Sequence, residues 1–303
     1  MTDRASTPAV LQDPDIAAVP AAQPKGVPPH LYFVASAIFH YLGPAFAVLL
    51  FGHVEPLGVA WLRIASAALI FAVWRRPWRY FVGLDAADRR TIAALGVVLA
   101  AMNSLFYLAI ARLPLGTVGA IEFLGPIGLA AFGLRTVRNG AALILAVAGV
   151  GLLTEVRIDG EPLGYVFASA NCALFVLYVV LGHRIAAGAG IGGIDRLGVA
   201  MSVAAIVALP IGILDAVPAL LDPVLLAAAV GVGISSSVIP YVCDQLAMAK
   251  LPRGSFALLL ALLPATATAI GIFVLRQIPA PAELAGIGLI IAGIAVHRAD
   301  ERG

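Results

Sequence analysis

Averaged over a window of about 19 residues, the chain reads as a succession of apolar blocks with little polar sequence between them. The blocks cover His30–Phe51, Leu57–Trp74, Thr91–Ala111, Leu115–Leu134, Asn139–Thr154, Pro162–Gly182, Leu197–Leu214, Pro223–Met248, Ser255–Leu275 and Ala282–Val296. An apolar stretch of about 20 residues matches the hydrocarbon core of a bilayer, where a single segment satisfies its own backbone groups only as a helix. The pattern predicts an all-α integral membrane protein of ten transmembrane helices. Composition agrees: of 303 residues 61% are hydrophobic and 12% charged, at a mean hydropathy of +1.01. Nearly the whole chain is used in spans, so any chemistry must use side chains inside or at the ends of helices.

Charge then orients the bundle. With the N-terminus placed in the cytoplasm, fifteen Lys and Arg residues fall on the cytoplasmic side, Arg75, Arg76, Arg79, Arg89 and Arg90 among them. Only Arg112, Arg157 and Arg276 fall on the other. That asymmetry is a positive-inside signal and predicts both termini in the cytoplasm. The basic residues are thereby explained as topology signals, and a nucleic-acid partner is not expected. Residues 1–28 carry three aspartates and five prolines without an apolar core, which predicts a disordered cytoplasmic tail and no cleaved signal peptide. Residues 298–303 are the expected cytoplasmic C-terminus. Cys172 and Cys243 fall inside predicted spans, where a disulfide or metal site is not expected. No cofactor is expected.

An internal repeat divides the spans. "RLPLGTVGAIEFLGP" from Arg112 and "KLPRGSFALLLALLP" from Lys250 share a basic residue, Leu-Pro, Gly, Thr or Ser, and a closing proline at matched spacing. Gly58-Val59-Ala60 likewise recurs at Gly198-Val199-Ala200. Five spans separate equivalent points, and an odd number inserts the two copies in opposite orientations. The expected organisation is two inverted five-helix repeats, residues 29–155 and 156–297, which is a transporter architecture with its site near the midplane. Pro44, Pro126, Pro210, Pro240 and Pro264 interrupt five spans. Each removes a backbone hydrogen bond and permits a kink. Pro44 and Pro126, each preceded by glycine, are candidate gate positions.

Few strongly polar residues lie inside the spans, and a charge at the bilayer centre costs roughly 2.5–3.5 kcal/mol. Arg63, Asn103 and Glu122 lie at similar depth on neighbouring spans, about six to eight residues from the same membrane face, or roughly 9–12 Å at 1.5 Å per residue. Gly119 and Gly125 share a helical face with Glu122, and Phe106 and Tyr107 with Asn103. Two readings stay open: a structural Arg63–Glu122 ion pair, or a substrate site that also draws on Tyr107. Asn171 and Tyr178, seven apart on one face of the sixth span, are candidates to line the second half of a cavity. His40 and Glu122 are the candidates for proton coupling. Asp244, near the end of the eighth span, is expected to reach interfacial water or Lys250 as a gate or cap. Ser235, Ser236 and Ser237 are expected to bond back onto their own helix. Trp74, Trp78 and Tyr80 read as interfacial anchors. Hydrolase, phosphate-loop, dinucleotide and metal-ligand motifs are missing, so an enzyme is not expected.

The segments "GVAWLRIASAALIFAVWRRPWR", "AMNSLFYLAIARLPLGTVGAIEFLGP" and "SSSVIPYVCDQLAMAKLPRGSFALLLALLP" resemble the EamA-type transporters of the drug/metabolite transporter superfamily. Within it they are similar to the bacterial threonine/homoserine exporters. The resemblance implies an inner-membrane secondary exporter of small metabolites, amino acids first, working by alternating access and coupled to protons. It carries Arg63, Pro77-Trp78-Arg79, Asn103, Glu122 and Pro126 over as family positions. Two positions depart from the pattern. A second-half carboxylate is replaced by Leu263, before Pro264, and an acidic tripeptide before the last span reads Val274-Leu275-Arg276. The substrate implied is a small zwitterion, with Arg63 toward its carboxylate and Glu122 toward its ammonium group or a proton. A broader metabolite or drug, or a channel-like facilitator, is the alternative.

Overall fold

The computed structural model describes residues 28–81, 83–133, 137–155, 161–186, 192–251, 256 and 262–296. The two predicted tails, apart from Pro28, lie outside the described residues. Regular structure among the described residues is helical throughout: α1 (Pro29–Leu50), α2 (Pro56–Arg75), a short α3 (Trp78–Phe81), α4 (Ala86–Ile110), α5 (Leu115–Gly133), α6 (Val137–Glu155), α7 (Pro162–Ala186) and α8 (Gly193–Gly212). After a short α9 (Val217–Leu221) come α10 (Pro223–Gly233), a π-helical turn (Ile234–Val238) and α11 (Ile239–Met248). The described chain closes with α12 (Leu262–Leu275) and α13 (Pro281–Val296).

Local chemistry sets the boundaries. Proline occupies the first turn of α1, α2 and α10, where its missing N–H has no helical partner to lose. Asp85 caps α4 by accepting from the Asp88 amide at 2.7 Å, so this helix begins five residues earlier than hydropathy alone predicts. Arg76 ends α2 in the left-handed region at φ 49°. Six helical segments are long and apolar enough to cross a bilayer: 31–50, 56–75, 86–110, 162–186, 193–212 and 223–248. Shorter apolar helices cover Leu115–Gly125, Gly140–Gly149, Thr266–Leu275 and Pro281–Gly293, overlapping the other four predicted spans. The molecule is therefore an all-helical, multi-pass membrane protein.

Packing gathers the elements around a common centre. Helix α1 lies against α10, the π turn, α11 and α12, whereas α2 packs on α4, α8 and α10. Helix α7 lies against α4 and α5, and α5 also contacts α12. Helices α6 and α13 pair extensively with each other. Large apolar side chains such as Leu31, Ile38, Leu49, Leu69, Val73, Ile206 and Phe273 point outward, as hydrocarbon-facing residues do. Trp74 and Trp78 are exposed near the end of α2, where interfacial anchors are expected, while the Tyr80 side chain lies outside the described residues. Pro44 and Pro210 sit inside α1 and α8, and Pro240 follows the π turn. The side chains of Pro126 and Pro264 lie outside the described residues.

Candidate substrate-binding site

At the centre of the bundle, His40 from α1, Arg63 from α2, Met102, Asn103 and Phe106 from α4, Glu122 from α5, Asn171 from α7 and Tyr241 from α11 line one cavity. Its free volume is about 10 Å³, room for about one water molecule and far below the roughly 300–1,000 Å³ of small-molecule sites. None of its lining residues is more than 7% exposed. The cavity is closed in this conformation.

The Arg63 guanidinium is held by neutral partners. Its Nε donates to Ser237 Oγ at 2.7 Å, and Nη2 donates to the Ser236 carbonyl at 2.5 Å and to the Tyr241 hydroxyl at 3.5 Å. The rings of Tyr107 and Tyr241 lie 5.4 and 5.9 Å from its central carbon, within cation–π reach. Among the described residues, no carboxylate comes within ion-pair distance of Arg63. The sequence allowed a structural Arg63–Glu122 ion pair; in this conformation the two groups border the same cavity without pairing.

The local backbone explains the anchor. The turn at Ile234–Val238 closes with an i→i+5 bond from the Ile239 amide to the Ile234 carbonyl. Ser235 and Ser236 do bond back to Gly231 and Val232. Ser237 instead accepts the hydrogen bond from Arg63 Nε. Glycine makes the approach possible: a Cβ on Gly43 would run into the Ser236 side chain, and one on Gly233 into the Ser66 hydroxyl.

Glu122 sits on the opposite wall. Oε2 accepts from the Tyr41 hydroxyl at 3.0 Å and Oε1 from Asn171 Nδ2 at 2.9 Å, with His40 Nε2 3.7 Å from Oε2. Asn171 Oδ1 is buried without a hydrogen-bond partner, an arrangement that costs free energy until a donor arrives. Gly119 and Gly125 do not open space beside the carboxylate. Tyr41 and Ala267 fill the site of the first, Cys172 and Val176 that of the second. The small free space that remains is bordered by Asn103 and Tyr241 among its lining residues.

Asn103 Nδ2 donates to the Leu99 carbonyl at 2.6 Å and lies 3.3 Å from the Tyr241 hydroxyl, which in turn is 3.4 Å from Asn103 Oδ1. Tyr241 is the wall residue that polarity alone does not single out. A signal existed: Asn103 and Tyr241 stand 138 positions apart, the offset of the repeat from Arg112 to Lys250. Tyr107 backs Arg63 outside the cavity lining, and Tyr178 lies away from the cavity, bonded to Asp244 at 2.7 Å. Asp244 does not reach Lys250 or water: it is 5% exposed, and the Ser36 and Tyr178 hydroxyls donate to it.

A closed, mid-bundle cavity with opposite charges on two walls defines a membrane transporter more readily than a scaffold. Comparison with known proteins agrees. The model of the EamA-like transporter family matches residues 162–298. The threonine/homoserine exporter RhtA of Escherichia coli (strain K12) is 33% identical over 253 residues, covering 82% of this chain and 84% of that protein. The protein of the same name from Salmonella typhimurium (strain LT2) is 32% identical over the same extent. The chain belongs to the EamA family of transporters. A solved crystal structure at 20% identity superposes with a TM-score of 0.58 over 88% of this chain and 95% of the other, which supports the fold.

Proposed function

We propose that this protein is an inner-membrane secondary exporter of small zwitterions, amino acids such as threonine and homoserine first, driven by protons through alternating access. The observation that carries the reading is a buried arginine and a buried glutamate that line one cavity without pairing with each other. A substrate carrying one charge would leave one of them uncompensated, whereas an amino acid satisfies both. Its carboxylate takes the planar fork of Arg63, and its ammonium sits against Glu122 and the unpartnered Asn171 Oδ1. A side-chain hydroxyl has Asn103 and Tyr241 in reach. Glu122 and His40 then alternate between substrate and proton, with Pro44, Pro126 and Asp244 at the positions where the halves gate.

The inverted repeat belongs to the same reading. Under an exchange of each of ten spans with the one five further on, the packing of α1 on α10–α11 becomes that of α7 on α4, and α1 on α12 becomes α7 on α5. The pairs α2–α8, α5–α12 and α6–α13 map onto themselves. The family match at 162–298 also coincides with the second proposed unit, 156–297. Cytoplasmic termini follow from the cation asymmetry.

Purified protein in proteoliposomes tests the reading. Threonine or homoserine loaded on one side should accelerate entry of labelled substrate from the other, which a channel does not do. Overexpression should confer resistance to toxic amino-acid analogues, and cells fed a dipeptide should retain less of the released amino acid. Resistance confined to lipophilic cations or sugar phosphates would defeat the amino-acid assignment while leaving the exporter class in place.

A further inference from the structure

One helical turn from the cavity, toward the Pro29 end of α1, a second buried carboxylate closes a seam that the substrate site does not use. Ser36 precedes the cavity residue His40 by four positions on α1, and Asp244 follows the cavity residue Tyr241 by three on α11. These spacings place each one turn further along the same helical face. Ser36 Oγ donates to Asp244 Oδ1 at 2.5 Å and the Tyr178 hydroxyl to Oδ2 at 2.7 Å, with all three residues at most 5% exposed. The contact joins α1 to α11, one helix from each proposed repeat, one turn along from the lining residues His40 and Tyr241.

No Lys or Arg among the described residues neutralises this carboxylate. Among the described residues none lies within ion-pair distance of Asp244, and Lys250 packs instead on the Tyr32 ring at 5.5 Å. The polar groups acting on it are Ser36 and His40 from α1 and Tyr178 from α7, while it acts in turn on Tyr241 and Cys243 of its own helix. Further along α7, His183 Nδ1 pairs with the Val179 carbonyl. On α8, Asp195 and Arg196 are engaged by Arg75 and Asp88. A buried carboxylate held only by hydroxyls is a site at which taking up a proton removes a large desolvation cost.

We infer that Asp244 is a second proton-binding site of the transporter, whose protonation re-pairs its bond to Ser36 and loosens the α1–α11 seam one turn from the cavity. The inference rests on the proton-coupled reading above and extends it. An ionised carboxylate only accepts, so Ser36 and Tyr178 both donate to it; a protonated one carries a donor of its own. When a proton adds to Oδ1, a new O–H bond forms on the lone pair that held the Ser36 hydrogen. Ser36 must then turn its own O–H away and either accept from Asp244 or separate from it. No other bond changes, and the charge at the seam falls from minus one to zero.

Infrared difference spectra of the purified protein, taken between neutral and acidic pH, test the assignment together with threonine flux in proteoliposomes. Acidification should raise a protonated-carboxyl carbonyl band that is lost in Asp244→Asn, kept but displaced in Asp244→Glu, and displaced in Ser36→Ala, where its partner hydroxyl is gone. Asp244→Asn resembles the protonated acid in shape; it should still exchange threonine at equal pH yet fail to accumulate it when a pH difference is imposed, with Asp244→Glu restoring accumulation. A band that survives in Asp244→Asn, or pH-driven accumulation in that variant equal to wild type, overturns the inference. Should Asp244→Asn not fold, an unmoved band in both Asp244→Glu and Ser36→Ala overturns it equally. Wild-type protein that exchanges no amino acid would defeat the exporter reading instead, and the infrared band would still decide whether Asp244 takes a proton.

Discussion

At the scale of single residues, the site depends on how two buried charges are held. Arg63 spends Nε and Nη2 on Ser237, the Ser236 carbonyl and Tyr241, which fixes the plane of the guanidinium where it borders the cavity. Lysine keeps the charge but loses both the fork and these anchors. Arg63→Lys should therefore weaken amino-acid binding about tenfold or more, as expected when a charged hydrogen bond of about 1.5–3 kcal/mol is removed. Ligand-induced thermal stabilisation of the purified protein reads this directly, and unchanged affinity would make Arg63 a structural anchor only. Glu122→Gln keeps the shape between Tyr41 and Asn171 while removing the charge. It should express and purify normally but transport poorly or without response to a pH gradient; normal pH-driven transport would remove the carboxylate from both of its proposed roles. Tyr241→Phe removes only a hydroxyl shared by Arg63 and Asn103. Its expected effect is milder, about 1 kcal/mol in ligand affinity, with overall stability little changed.

At the scale of elements, periodicity and hydropathy made the long helices legible because burying backbone in lipid leaves few alternatives to helix. Hydropathy placed the start of α4 at Thr91, whereas the helix begins at Ala86, because a capping aspartate and not apolar content sets that end. The π turn at Ile234–Val238 could not be read from composition. Three serines in a row look like back-bonding residues, and two of them are; the third faces Arg63 because the extra residue in the turn changes the face it presents. Arg63, Asn103, Glu122 and Asn171 were visible as rare polar residues in apolar spans, but Tyr241 was hidden among ordinary aromatics until the repeat offset is applied to Asn103. Gly43 shows how closely these elements fit. A side chain there would press on the Ser236 backbone, 2.7 Å from Cα, and so displace the carbonyl that holds Arg63. Gly43→Val should cost about 1–3 kcal/mol of stability, as overpacked cores do, and should abolish stabilisation by threonine. Gly231→Ala, which meets open space on the same segment, is the control that should leave both unaffected or slightly improved. Equal behaviour of the two variants would show that the α1–π contact does not support the site.

For the whole molecule, the proposed orientation rests on charges that never touch the cavity. Arg75 grips Asp195 with two bonds at 2.6 and 2.9 Å, and Arg196 pairs with Asp88 at 2.8 Å, tying the ends of α2, α4 and α8 together. Arg75 and Asp88 are each 37% exposed at the side chain, so the pairs add little to stability on their own. Their place in the bundle is informative nonetheless. They stand on the side that carries fifteen cations against three, which the positive-inside rule assigns to the cytoplasm. At the opposite end, α9 follows Asp215 and leads into Asp222, which caps α10 through the Val224 and Leu225 amides. Leu221 there is 79% exposed and Val137, at the start of α6 on the cation-rich side, is 93% exposed. Each can carry a reporter cysteine once Cys172 and Cys243 are replaced by serine. Leu221→Cys should react with an impermeant thiol reagent on intact cells, and Val137→Cys only in inverted vesicles. The reverse pattern would invert the molecule. Export would then require Glu122 and Asp244 to exchange their protons with the opposite compartments, so the labelling result fixes the direction in which every proton-coupled step proposed for this cavity must run.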